Sequence, residues 1–565
     1  MKRKILIVGG VAGGATAAAR IRRLDEEAEI LIFEKSEHVS YSNCSLPFYL
    51  GGVVEDEKDL VMVEPETFAK RYNMEARTQS EVLAVNRKEK TVTVLDHAAG
   101  REYEESYDKL ILAPGARPLR PGSISGIEKD HVFAIRNVRD VVLLKAYLEE
   151  KDLKHVVVIG GGFIGIETAE NLVRAGYHVA VSEAMEQILS VFDEDMVQIL
   201  HKELYDNGVE LHLGEKVQEI TEKYVIMGSG KEIRADAVVL AMGVQPEIGL
   251  AREAGLSIGE TGGIRVDRNC RTSDSDIYAV GDAIEVTHKL TRRSVRLTLA
   301  GPAQRQARIA ANHIYGIPDN GGGVIGSSVL RVFRLNAACT GLNEGALKKA
   351  GISYGFSYVI PNDRVSIMPD CSPLHFKLLY ERPTGKLLGA QAIGQGEADK
   401  RIDVIAAMIS RDAGLEELKE LELCYSPLYG TARDVVNQAA LVGLNLLSGA
   451  YRQVSVSEVR HLVEKGAYII DVREKGEFER GHLKNAVNLP LSELRERLSE
   501  IPKDRPVYLH CQSGQRSYQA VRALQNLGFG NVCNISGSFL GICLYEFYHD
   551  SLGNREKIVT EYHFR

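Results

Sequence analysis

The chain carries the same strand, glycine turn and helix twice. Residues 4 to 8, "KILIV", run into "GGVAGG" and on into the alanine-rich "ATAAARIRRL", and "HVVVIGGGFIGIETAENLVRAG" repeats the pattern with Gly160, Gly162 and Gly165 in full G-x-G-x-x-G spacing. Each copy is followed by a strand that ends in an acid, "EILIFE" in Glu34 and "HVAVSE" in Glu183. Glycines at these places let the backbone approach a pyrophosphate, the helix N-terminus favours its charge, and the acid takes ribose hydroxyls. In the first copy Val11 replaces the middle glycine, which alone would weaken the signal. Two copies in order restrict the chain to dinucleotide folds, with nucleotide-free Rossmann domains as the alternative.

Two dinucleotide sites in one chain imply a flavin plus a nicotinamide. Glu183 suits an unmodified ribose hydroxyl and would repel a 2′-phosphate, which favours NADH over NADPH. "YDKLILAPGARP" (107 to 118) and "AVVLAMGVQP" (237 to 246) share a strand-and-turn ending, and "DIYAVGDA" (276 to 283) is a further strand ending in Gly281 and Asp282. Their order fits a first nucleotide domain interrupted by the second. From about 325 to 447 the texture changes to β-rich and then helical segments, and "SGAYRQV" reads as a linker. An independent α/β pattern follows, from "AYIIDVRE" to "NVCNISGS".

At 565 residues the chain is too long for one core. No apolar run approaches the roughly 18 residues of a membrane span. The N-terminus runs directly into a strand without a signal-peptide pattern, so a cytoplasmic protein is expected. A net charge of −8 argues against a general nucleic-acid binder. Arg20, Arg22 and Arg23 fall within one helical turn near the first glycine loop, either as a solvated face or as an anion site. The eight cysteines form no C-x-x-C pair, which leaves isolated thiols and no metal-ligand spacing.

Two cysteines stand out. Cys44, in "HVSYSNCSLPFYLGG", has no second cysteine nearby and is either a structural thiol or a redox nucleophile. Cys511 ends the strand "PVYLH" and opens the loop "CQSGQRS" before a helix. Backbone N–H groups at that helix N-terminus, together with Arg516, would stabilise a thiolate; the alternative is a buried strand-end cysteine.

With "IIDVREKGEFERGHLKNAVNLP", the last domain resembles the rhodanese family over about residues 452 to 545. The six-residue loop from Cys511 to Arg516 has the length associated with sulfur substrates, and the resemblance implies a Cys511 persulfide as sulfane carrier. The first 447 residues resemble the flavin- and pyridine nucleotide-dependent disulfide reductases with one active-site cysteine. The match is carried by "GGVAGGATAAARIRRL", "FEK", "SNCSLPFYLGG", "GGGFIGIE", "TSDSDIYAVGDA" and "LAGPAQRQARIAA". Within that group it is to coenzyme A-disulfide reductases and the rhodanese-fused forms described as CoA-disulfide or NADH-dependent persulfide reductases.

The expected architecture is α/β, with two nested Rossmann-like FAD and NAD domains, an α+β dimerisation domain and a C-terminal α/β rhodanese domain. The expected boundaries are FAD-binding at 1–115 and 245–324, NAD(P)H-binding at 116–244, dimerisation at 325–447, a linker at 448–453 and rhodanese at 454–565. The resemblance implies FAD contacts at Gly9, Gly10, Ala12, Gly13, Glu34, Lys35, Pro114, Gly115, Gly281, Asp282 and Ala300. It implies nicotinamide contacts at Gly160, Gly162, Gly165, Glu183 and Gly243. Arg20, Arg23, Ser40, Asn43 and Arg433 would meet CoA, and Cys44, Cys511, Tyr425 and Arg516 would carry the chemistry.

By this resemblance Cys44 pairs with a substrate sulfur beside the flavin, and a helix N-terminus beside an oxidised flavin is expected to lower its pKa. Relatives carry a tyrosine pair before a proline in the dimerisation domain, where this chain reads "VSIMPDCSP", with Ile367 and Met368; Cys371 and Cys424 lie near by in sequence. A second family tyrosine is retained as Tyr425. In relatives these tyrosines come from the other subunit of a homodimer. The expected function is electron transfer from NADH to a persulfide or polysulfide sulfur, such as CoA persulfide, with sulfide released. The alternatives are a CoA-disulfide reductase, an NADH oxidase, and a sulfur-trafficking or sensing protein.

Overall fold

The computed structural model describes all residues except 1, 152, 320, 554 and 565, and in it the chain divides into two units. The first comprises Met1–Ala184 and Gly214–Val324, the second Met185–Leu213 and Ile325–Arg565.

Two parallel sheets organise the first unit. In one, strands Ile277–Ala279, Lys109–Leu112, Lys4–Val8, Glu29–Phe33 and Glu75–Arg77 lie in that order, all parallel. "KILIV" is apolar at successive positions because both faces are covered. Ile5 and Ile7 pack with Ala17, Ala18 and Ile21 of helix Ala12–Leu24, while Leu6 and Val8 face Val92 and Val94. In the other sheet, Val132–Ala134, Ala237–Leu240, His155–Ile159 and His178–Glu183 lie in that order, again parallel. The chain leaves the first sheet after Leu112 and returns to it at Ile277, so one nucleotide fold is inserted in the other.

The second unit contains an antiparallel sheet in the order Ser327–Val332, Leu335–Gly341, Leu387–Gly394, Leu374–Glu381, Tyr354–Val359. Helices Ala398–Ser410 and Val435–Leu447 pack on it. A second, parallel sheet follows in the order Gln453–Val454, Val532–Ile535, Val507–His510, Tyr468–Asp471, Val487–Asn488. Residues 448–453, read from sequence as a linker, are packed rather than slack. Tyr451 is 4% exposed and shares a core with Leu446, Val507 and Val532, and Arg522 donates to the Ala450 carbonyl.

Helix Glu194–Asp206, from a segment expected with the NAD(P)H domain, belongs to this second unit. It is buried almost all round, at Met196, Val197, Ile199, Leu200 and Leu204, because it packs on helix Ser538–Ser551. His201 lies 5.0 Å from the Tyr548 ring, and the Tyr545 hydroxyl donates to Glu194 at 2.7 Å. At its N-terminus Asp193 and Asp195 join Glu344 around the fully buried Lys377, whose Nζ lies 3.1, 2.8 and 2.5 Å from the three carboxylates. A buried ammonium is tolerated only when paired in this way. Among the described residues no helix is long and apolar enough to cross a membrane.

Candidate functional site

The two glycine turns have one geometry. Gly9 and Gly160 sit in the left-handed region at φ +96° and +113°. Five residues on, a Cβ at Gly14 would stand 1.8 Å from the Gly9 carbonyl oxygen, and one at Gly165 would stand 1.9 Å from that of Gly160. Gly14 is thus the counterpart of Gly165, at the spacing that follows from Val11 standing in the middle-glycine place. Val11 and Gly162 are the helix N-caps of the two copies, which puts a side chain in the first turn where the second has open space. Glu34 accepts from the Gly10 N–H at 3.0 Å, and Glu183 from the Gly161 N–H at 2.7 Å, so both acids are held at the mouths of their turns.

The first turn opens onto a cavity of about 840 Å³. Of the residues expected to contact FAD, Gly9, Ala12, Gly13, Glu34, Lys35, Pro114, Gly115, Gly281, Asp282 and Ala300 line it. Gly10 stands behind, its α-carbon against Val39. Ala300 opens the fifteen-residue helix Ala300–Ile314, whose N-terminus favours negative charge at the wall. A long cavity with a glycine turn, an acid and a helix N-terminus fits a dinucleotide. At the second turn Gly162 is open, and Gly243 is left-handed at φ +97° with nothing within 4 Å of a Cβ.

Asn43 and Cys44 also line the cavity. Among the described residues no other cysteine does. Cys44 is exposed on a 3-10 turn, Asn43–Ser45, that runs into the five-residue helix Leu46–Leu50. The protein's own groups oppose the expected lowering of its pKa, because so short a helix offers little dipole and the neighbouring charges are negative. Burial in the cavity wall, then Glu167 and Asp282, push the thiol up. Glu167 lies one turn before Asn171 on helix Phe163–Arg174, and Asn171 abuts Gly51 just after the Cys44 helix. Burial and Glu170 push the half-buried Glu167 up to about 7. The sequence reading did not single out this group.

The arginine cluster is divided. The anion-site reading fails for Arg22, which is 8% exposed and donates to the carbonyls of Asp25, Glu26, Ala28, Tyr72 and Asn73. Arg20 donates to Asn312 at 2.8 Å, and Arg23 is exposed. Ser40 is left-handed at φ +53° and donates its N–H to the Gly10 carbonyl at 2.8 Å. Tyr425, Arg433, Ile367 and Cys424 are exposed on the second unit, and the half-buried Cys371 donates to the Arg364 carbonyl.

In the last domain Cys511 is 1% exposed, and its sulfur accepts the Gly514 N–H at 3.1 Å. Arg516, expected to favour the thiolate, forms two bonds to Glu477 at 2.6 and 2.7 Å, and the Cys511 sulfur is among the groups that favour its charge. A fork facing a carboxylate satisfies both groups better than a single thiolate would. Arg473 is fully buried on Asp471, with its guanidinium 3.9 Å from the centre of the Phe539 ring.

Residues 3–307 match the pyridine nucleotide-disulphide oxidoreductase family, 328–434 its dimerisation domain, and 455–544 the rhodanese-like domain. The coenzyme A disulfide reductase of Staphylococcus aureus strain JH9 is 34% identical over 435 residues, covering 77% of this chain and 98% of its own. The crystal structure of reduced Bacillus anthracis CoADR-RHD is 42% identical with a TM-score of 0.94, covering 98% of this chain and 99% of that one. The NAD-dependent persulfide reductase from A. fulgidus is 35% identical with a TM-score of 0.91, covering 95% and 99%. The glycine turns, the cavity and these matches agree: the chain belongs to the pyridine nucleotide-disulphide oxidoreductases, as an FAD-dependent NAD(P)H oxidoreductase with that family's dimerisation domain and an appended rhodanese-like domain.

Proposed function

We propose that the enzyme transfers two electrons from NADH to the sulfane sulfur of a small persulfide, with CoA persulfide as the favoured substrate. The observation that carries this is the lone Cys44 opening into the FAD cavity without a second cysteine to form an internal disulfide. Its partner sulfur must then come from the substrate. The resemblance of the full chain to the B. anthracis and A. fulgidus structures supports the sulfur chemistry.

The Cys44 thiolate attacks the sulfane sulfur of R–S–SH; a Cys44 S–S bond forms and R–S⁻ leaves. Two electrons then cleave the new bond and return the Cys44 thiolate, with sulfide released. Overall, R–S–SH, NADH and a proton give R–SH, H₂S and NAD⁺. FAD, when bound by the first glycine turn, Glu34 and the Asp282 wall, supplies the two-electron relay between nicotinamide and sulfur. Glu183 and the second turn orient NADH. Glu167, ionising near neutrality, holds a proton beside Cys44 for the departing thiolate. Arg23, Ser40 and Asn43 take the CoA moiety, and in a homodimer Tyr425 and Arg433 serve the same substrate. Cys511 carries sulfane sulfur before the reductive step.

The test is anaerobic NADH oxidation with CoA persulfide, CoA disulfide and polysulfide, comparing the parent with Cys44→Ser and Cys511→Ser. Stoichiometric sulfide that depends on Cys44 is expected with persulfide. Turnover with CoA disulfide alone would make the enzyme a disulfide reductase, the reading that the S. aureus relative favours.

A further inference from the structure

Three hydroxyl and thiol groups meet at Cys511, and counting their protons assigns a role to Ser538. Cys511, Ser517 and Ser538 are each at most 1% exposed. Ser538 Oγ accepts the Cys511 backbone N–H at 3.3 Å, lies 3.8 Å from Cys511 Sγ, and lies 3.4 Å from Ser517 Oγ. Ser517 spends its one hydroxyl proton on the Gly514 carbonyl at 3.1 Å. With that bond made, Ser517 accepts from Ser538. The single proton of Ser538 has two destinations, Ser517 Oγ or Cys511 Sγ.

The backbone holds Ser538 there from both sides. It is left-handed at φ +50°, unusual for a residue with a side chain, and follows Gly537 at φ +80°. A Cβ on Gly537 would stand 2.9 Å from the Tyr358 ring, and Tyr358 is tied to the buried His375 at 2.7 Å. On the other side, Phe539 N–H donates to the Cys511 carbonyl at 2.9 Å and Leu540 N–H to that of Gln512 at 3.0 Å.

We propose that the Ser538 hydroxyl is the reversible donor to the Cys511 sulfur, an inference that rests on Cys511 being the sulfane carrier. While Cys511 is a thiol, its S–H points to Ser538 Oγ and Ser538 donates to Ser517. When the thiol loses its proton to solvent, the Ser538 hydroxyl rotates and donates to the sulfur, beside the Gly514 N–H already aimed at it. The same donor is available when Cys511–S⁻ takes the outer sulfur of R–S–SH. In that step the bond from R–S to the outer sulfur breaks, a Cys511–S bond forms, and R–S⁻ leaves with no change in electron count.

The experiment uses the full-length holoenzyme and follows iodoacetamide alkylation at the Cys511 peptide by mass spectrometry across pH. Ser538→Gly removes the hydroxyl while suiting the left-handed backbone; alkylation about tenfold slower below the thiol pKa is expected, the equivalent of one pKa unit. Ser517→Ala removes the competing acceptor and leaves Ser538 only the sulfur, so a profile displaced to lower pH is expected. Opposite displacements are the signature of the shared proton. Unchanged profiles, or shifts in the same direction, would overturn the assignment in favour of Ser538 as a backbone tie alone. Sulfur transfer to cyanide is measured in the parent alongside: if transfer is absent while the opposite displacements hold, the carrier role of Cys511 falls and the Ser538 assignment stands.

Discussion

Gly165→Ala and Gly162→Ala separate two reasons for glycine in one turn. A Cβ at position 165 would meet the Gly160 carbonyl oxygen at 1.9 Å, its carbon at 3.1 Å and Ala241 Cβ at 3.3 Å. Such contacts are essentially never found under 3.0 Å, so helix Phe163–Arg174 must retreat from its strand by at least about 1.1 Å. Overpacking typically costs about 1–3 kcal/mol, and because the obstacle is backbone the upper end, about 3 kcal/mol, is expected. At position 162 nothing lies within 4 Å and φ is −77°, so alanine there should change stability by no more than about 1 kcal/mol, the difference between the two residues at an N-cap. That methyl would instead occupy the space through which a pyrophosphate approaches, raising KM for NADH. The chain has no tryptophan, so urea unfolding is read by circular dichroism and flavin emission. Parent stability in Gly165→Ala, or an equal loss in Gly162→Ala, would refute the claim that backbone apposition is what position 165 requires.

Two further perturbations address charge. Lys377→Met leaves Asp193, Asp195 and Glu344 without their cation and should cost about 3–5 kcal/mol near neutrality. The unpaired acids would then bind protons more readily folded than unfolded, so the deficit should grow as pH rises through the carboxylate range; urea midpoints at pH 5 and pH 8 check the sign. Glu167→Gln removes a carboxylate that raises the Cys44 thiol, so alkylation of Cys44 should be faster above pH 7 and little changed below, where the parent Glu167 is already protonated. Because the folded pKa of Glu167 is raised, the stability linked to it is present in acid and lost as pH climbs from about 4.5 to about 7; the glutamine variant should lack that slope.

The nesting of the two nucleotide folds was legible because periodicity, glycine spacing and terminal acids repeat on the chain itself. Val11 in the middle-glycine place puts Gly14 opposite Gly165 by spacing, but the close approach to the Gly9 carbonyl that makes a glycine necessary there appears only in the fold. Arg22 and Arg516 show a second limit. Both looked like cations free for an anion, yet one is enclosed by backbone carbonyls from residues 25 to 73 and the other by Glu477, partners that local charge patterning does not reveal. Glu167 and Ser538 went unremarked for the same reason, since each gains its meaning from a cysteine more than 25 positions away in sequence. Cys44 and Cys511 themselves were visible, but the carboxylates that raise the Cys44 thiol were not.

The packed segment around Tyr451 also bears on how the rhodanese domain would handle its cargo. A carrier domain on a slack tether could swing its cargo from one station to another, as mobile arms do in multienzyme machines. Here Tyr451 is sunk into the rhodanese core, Tyr358 lies against Gly537 at the start of the last helix, and Tyr545 is latched to Glu194. Under the proposed function the sulfane carrier therefore works from a fixed seat against the dimerisation domain, and a thiol that diffuses to Cys511 meets a loop already in place.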